Sequence, residues 1–167
     1  MSMIIQREND AIVDELEALM LSEGEIIHCP LVHRFTNGMY IRQIFMPKGS
    51  LITSRIHKTE HPYTVSLGAV AVSIDGGEWD HIVAPHTGIT NPGTRRILYI
   101  LEDCIWTTYH PIKEMKSEFN NLSEEEIEKI VADLEDKLLI PHINQLTGSD
   151  IHKEYKNILQ TKKSLQL

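Results

Sequence analysis

Hydrophobic and polar positions change rhythm twice along this chain. Over residues 10–21, Ile12, Val13, Leu16, Leu19 and Met20 recur at three- and four-residue intervals, which predicts an amphipathic helix. Asn9 is its expected N-cap, and Ser22 to Gly24 supply the stop. From residue 26 to 111 the pattern becomes short apolar runs separated by turn residues. Thr36-Asn37-Gly38, Pro47-Lys48-Gly49-Ser50, Asp75-Gly76-Gly77 and Asn91-Pro92-Gly93 punctuate the segments MYIRQIFM, LITSRIH, TVSLGAVAVSI, HIVAP, RRILYILED and CIWTTYH. Short strands at that spacing, with no helix between them, predict a sandwich or barrel and argue against a parallel α/β sheet. Helical spacing returns at Ser123, which forms a capping box with Glu126 ahead of Ile127, Ile130, Val131, Leu134, Leu138 and Leu139. A last helix is expected to carry Ile151, Tyr155, Ile158 and Leu159, with Lys162 and Lys163 near its C-terminus. The expected organisation is a helix in 1–25 packed on a β-barrel of 26–111, then an acidic helical extension in 112–167.

Composition narrows the class without naming a chemistry. No run of about 18 apolar residues exists, so no membrane span is expected. The N-terminus MSMIIQREND lacks the basic-then-apolar order of a signal peptide, and a cytoplasmic protein is expected. Cys29 and Cys104 allow at most one disulfide and read as buried thiols. The net charge is −8, unevenly spread. Residues 34–96 hold seven basic side chains against four acidic ones, a net +3, so the remainder carries −11. An acidic periphery disfavours nucleic acid, whose phosphates demand positive surface. The basic middle segment suits a small anionic ligand instead.

Two candidate chemistries overlap in the segment GSLITSRIHKTEHPYTVSLG, residues 49–68. His57 and His61 lie four apart on a strand and the turn after it, a spacing at which two imidazoles can share a metal. A third ligand would have to come from His33, His86 or His110, or from Glu60 or Glu102. Alternation along LITSRIH puts Thr53, Arg55 and His57 on one face, where a guanidinium and an imidazole would bind an anion. One of Arg95 and Arg96 is expected to face the same side. The competing reading pairs these arginines with Glu60, Glu102 or Asp103. Trp106, Thr108 and His110 also alternate, giving one wall that either stacks on a ligand or anchors the core. No nucleophile elbow or phosphate-binding glycine loop is present.

The spacing Gly49, five residues, Arg55-Ile56-His57, three residues, His61, six residues, Gly68 resembles the first cupin motif. The resemblance implies a mainly β, cupin-like jelly-roll barrel with a short N-terminal helix and two C-terminal α-helices. In cupins the motif's two His and one Glu hold a divalent metal with a His from a second motif. Carried over, His57 keeps its place, Arg55 stands for the other His, and His61 for the Glu. In the second motif, centred on residues 84–90, Thr90 occupies the His position. The strings CPLVHRF, MYIRQIFMPKGS, IHKTEHP, NPGTRRILYILED and WTTYHP further resemble small cupin-like proteins of bacteriophages and prophages. That likeness singles out Arg42 and His33 beside the residues above, and implies the host cytoplasm as location.

The leading expectation is therefore a barrel that binds a small anionic molecule, a nucleotide or sugar phosphate, and sequesters it. Arg55, His57, His61, Arg95, Arg96, Trp106, Thr108 and His110 are its candidate ligand contacts. The alternative is a metal-dependent isomerase, lyase or dioxygenase using His57 and His61 to hold Zn, Fe, Mn or Ni. A third is a structural or assembly component. Self-association into a homo-oligomer is expected from the resemblance and the apolar helix faces.

Overall fold

A computed structural model describes residues 3–24, 27–113 and 122–140. The chain is mainly β, with one helix before the strands and one after them among these residues. Helix α1 spans Met3–Glu23, so it begins well before Asn9, which lies inside it and caps nothing. The stop is where the sequence puts it, with the Gly24 amide donating to the Met20 carbonyl at 2.8 Å. The last expected helix, from Ile151, lies outside the described residues.

Strands follow as β1 (Leu31–Thr36), β2 (Met39–Met46), β3 (Leu51–Thr53), β4 (Ile56–His57), β5 (His61–Ile74), β6 (Trp79–Val83), β7 (His86–Thr90) and β8 (Arg96–Pro111). Helix α2 spans Glu124–Leu138 with the capping box formed as expected, and β9 (Leu139–Ile140) ends the described chain. The segments RRILYILED and CIWTTYH are one continuous strand rather than two. That strand, β8, is the spine of the sheet. Its first half pairs with β3 and the end of β5; its second half pairs with β2 and the start of β5. The order is β1-β2-β8-β5-β6, all antiparallel, with β7 also on β5.

LITSRIH is the opposite case, a predicted strand that the fold breaks. The Ser54 amide donates to the Arg96 carbonyl, and Ser54 Oγ accepts from the Arg96 amide, both at 2.8 Å. These bonds close the β3 pairing, and β4 then pairs with β9 instead, His57 opposite Leu139. Thr53, Arg55 and His57 consequently share no single strand face.

Bulges interrupt the β5–β8 pairing between Val65 and Val70. Gly68 sits there at φ +86°, and a Cβ on it would land on the Asp103 carbonyl. The close approach of two backbones, beyond turn geometry, thus explains the closing glycine of the 49–68 segment. Gly68→Ala is expected to cost more than the ~1–2 kcal/mol of a left-handed residue alone, because β8 must move as well. Chemical denaturation checks this; an unchanged midpoint would refute it.

Inward side chains divide the interior into two zones. Met46, Val65, Val70, Val72, Leu98, Ile100 and Cys104 form an apolar floor, with Tyr63 and Trp106 above them. The Tyr63 and Trp106 rings stack at 4.5 Å with planes 11° apart, an arrangement worth about 0.5–1.5 kcal/mol beyond area burial. Burial lifts the Cys104 thiol to about 11, so it is an inert apolar element of the floor, as the sequence suggests. Polar groups begin where the floor ends.

Candidate metal centre

Three strands bring His57, His61 and His110 together. His57 ends β4, His61 opens β5 and His110 lies near the end of β8. One ligand atom from each lies within 4.8 Å of the others; with metal–nitrogen bonds of about 2.0–2.1 Å, the rings would draw slightly closer around a shared ion. His61 and His110 are buried and His57 is half-buried. The rings are neighbours too, with centroids 4.5 Å apart for His57–His61 and His61–His110, and 5.0 Å for His57–His110.

Second partners fix which nitrogen of His110 and of His61 is free. Thr108 Oγ1 donates to the Arg42 carbonyl over 3.4 Å, so its lone pairs accept His110 Nε2–H at 2.9 Å. His110 Nδ1 then carries a lone pair, and it is buried without any hydrogen-bond partner. His61 Nδ1 donates to the Thr59 carbonyl at 3.2 Å, which leaves its Nε2 as the bare nitrogen. Carbonyl and hydroxyl partners of this kind hold imidazoles in ligating tautomers.

All three rings are neutral at physiological pH. Burial, helped by the neighbouring His61, His110, Arg42 and Arg55, pushes His57 down to about 2. Burial, with His61 and Arg42, pushes His110 to about 3, and burial also lowers His61. The sign for stability follows directly. These folded-state values lie below the ~6.5 of an unfolded imidazole, so the unfolded chain binds more protons between them. The metal-free protein is expected to keep this contribution above pH 6.5 and lose it steadily as pH falls further. Urea midpoints measured from pH 8 to pH 5 check it; a flat profile would contradict neutral burial.

The remaining predicted site residues divide by location. Arg96 faces inward, its guanidinium carbon 5.1 Å from the Tyr63 ring centroid and 5.7 Å from that of Trp106. It also donates to Thr90 Oγ1 at 3.1 Å, and its charge reaches His61. Trp106 and Thr108 are inward and buried, the first in the aromatic pair and the second behind His110. Arg95 points the other way, fully buried under α1, where Asp14 and Glu17 pair with it at 2.7 and 2.9 Å. Arg55 reaches α2 and pairs with Glu135 at 2.7 Å. The arginines therefore do find carboxylates, but on the helices rather than at Glu60, Glu102 or Asp103. Of the possible third ligands, His86 hydrogen-bonds Tyr63 and His33 hydrogen-bonds Tyr40, at 3.2 and 2.6 Å.

Two contributors escaped the sequence reading of the site. Glu135 had no local signal, because only the β4–β9 pairing carries α2 to Arg55. Tyr40, buried and opposite His110 across the β2–β8 pair, could have been found from its alternation with Arg42 and Ile44.

No protein-family model matches the chain, and no curated protein does. Solved structures similar to part of it include a conserved Klebsiella pneumoniae protein with a double-stranded β-helix domain. It is 19% identical with a TM-score of 0.44, over 51% of this chain and 77% of that one. An RmlC-like cupin from Methanocaldococcus jannaschii is 9% identical with a TM-score of 0.43, over 52% and 84%. A cupin superfamily protein from Desulfitobacterium hafniense is 10% identical with a TM-score of 0.44, over 59% and 88%.

Proposed function

We propose that this protein binds one divalent metal ion through His57, His61 and His110, and uses the ion's remaining coordination positions to engage a small molecule. The carrying observation is the neutral trio together with the buried, unpartnered Nδ1 of His110. Burying a polar nitrogen with no partner costs free energy, and a metal ion supplies the missing partner. Three nitrogen ligands with open positions are the donor set of catalytic rather than structural zinc sites, and imidazole suits Zn, Fe and Ni alike. A bound ion would supply Lewis acidity and a place for water or a substrate oxygen. The chain's own contribution is to hold the tautomers, through Thr59 and Thr108, and to exclude water from one side with the Tyr63–Trp106 floor.

Of the arginines expected to contact an anion, Arg55 and Arg95 have guanidiniums occupied by helix carboxylates, while Arg96 faces inward on the aromatic pair. Titrating chelator-treated protein with Co(II) tests the metal reading. Visible bands that saturate at one equivalent and vanish on adding Zn(II) are expected. A featureless visible spectrum throughout the titration would sink the proposal.

A further inference from the structure

The trio contains no carboxylate, so a bound divalent ion would bring its full charge into the barrel. Among the described residues Arg42, Arg55 and Arg96 act on these histidines, while Glu135 acts on Arg42 and pairs with Arg55, and Asp75 acts on Arg96. Glu135 is already committed to Arg55 at 2.7 Å, and Asp75 accepts the Arg95 amide at 3.0 Å. Three cations against two anions leave one positive charge before any metal arrives.

Arg42 is the cation without a partner. It sits on β2 directly opposite Thr108, one inward position from His110, and its carbonyl is what Thr108 hydrogen-bonds. Among the described residues the side chain of half-buried Arg42 makes no hydrogen bond and no ion pair, and only the more distant fields of Tyr40 and Glu135 favour its charge. Arg96 differs, because aromatic faces and Thr90 already hold it. An unpaired guanidinium in a half-buried site is costly, and a planar two-oxygen anion is the partner its donor fork matches.

Building on the metal reading above, we infer that the site's natural ligand is a small oxyanion, a carboxylate or a phosphate, bridging the metal and Arg42. One anionic oxygen would sit on the ion while the others accept from the guanidinium. Arg42 thereby selects anions over neutral sugars or alcohols of similar size. Tyr40, also inward-facing on β2, shares a hydrogen bond of 2.6 Å between its hydroxyl and His33 Nδ1. Its burial pushes the phenol up to about 12, so it stays neutral and adds no competing negative charge.

Adding oxalate or inorganic phosphate to the Co(II)-loaded protein provides the test, read from the visible bands. The wild type is expected to shift with at least one of the two probes, and the one that acts identifies the oxyanion. Arg42→Met is expected to keep its Co(II) spectrum but to bind that probe at least tenfold more weakly. Arg42→Lys should recover part of the loss, because the charge returns without the fork. Glycerol at the same concentrations should leave the bands unmoved. Equal affinity in wild type and Arg42→Met, or no response to either anion, would overturn the inference while leaving the metal centre standing. Absence of the Co(II) bands themselves would bring down the metal centre and this inference together.

Discussion

A His110→Ala variant is expected to lose divalent-metal binding almost completely. Removing a mere outer partner of a metal ligand costs about 10–100-fold in affinity, and His110 is a ligand in this account. The alanine leaves two imidazoles, His57 and His61, on consecutive strands, which can hold an ion only loosely. Thr108→Val is the graded companion. It deletes the acceptor for His110 Nε2–H while keeping the ring, so a loss within that 10–100-fold range is expected. Competition titrations against a coloured chelator measure both. If Thr108→Val weakened binding as much as His110→Ala, the hydroxyl would be no mere orienting group; if neither mattered, the trio would not be the site. His110 is buried against Tyr40 and the other two imidazoles, so each variant's circular dichroism is recorded alongside.

The second large effect lies far from the metal centre. Arg95→Met is expected to destabilise the protein by ~3–5 kcal/mol, the usual cost of breaking a buried ion pair from one side. Arg95 is fully buried and meets Asp14 at 2.7 Å and Glu17 at 2.9 Å, with the Glu17 side chain only 8% exposed. Burial works against the Arg95 charge, but the hydrogen bonds to Asp14 and Glu17 outweigh it and hold its pKa above the ordinary value. Without the guanidinium, the buried Glu17 carboxylate loses the cation 2.9 Å from it. Adding Glu17→Gln to Arg95→Met removes that charge and should restore a substantial part of the stability. Denaturant midpoints of the two variants decide it. A single variant as stable as the wild type would mean that α1 is not held to the barrel by this pair.

The pair also shows where part of the uneven charge in the sequence goes. Basic residues crowd the barrel segment and acidic ones the flanks, the pattern behind the expected anion site. In the fold much of it is spent internally, since Asp14, Glu17 and Glu135 on the helices neutralise Arg95 and Arg55. Sequence separation hides such pairs; Arg95 and Asp14 are 81 residues apart. The strand order was legible only in outline, because alternation marks strands but not which partner each one takes. Thus LITSRIH alternates throughout, yet its second half leaves β8 for β9. The histidines fared better. His57 and His61 are close in sequence and across one turn, so their pairing could be read directly. His110 was one of three histidines among five possible partners, and the β5–β8 register, which places Tyr63 opposite Thr108, brings it to them rather than His33 or His86.

Metal content measured on the protein as isolated from cells, by elemental mass spectrometry, tests the central claim most directly. The account predicts close to one divalent transition-metal ion per chain in the wild type. It predicts none in a folded His57→Ala/His61→Ala/His110→Ala variant prepared in parallel. Equal metal content in the two proteins, or a wild type that neither carries nor takes up an ion, would contradict it.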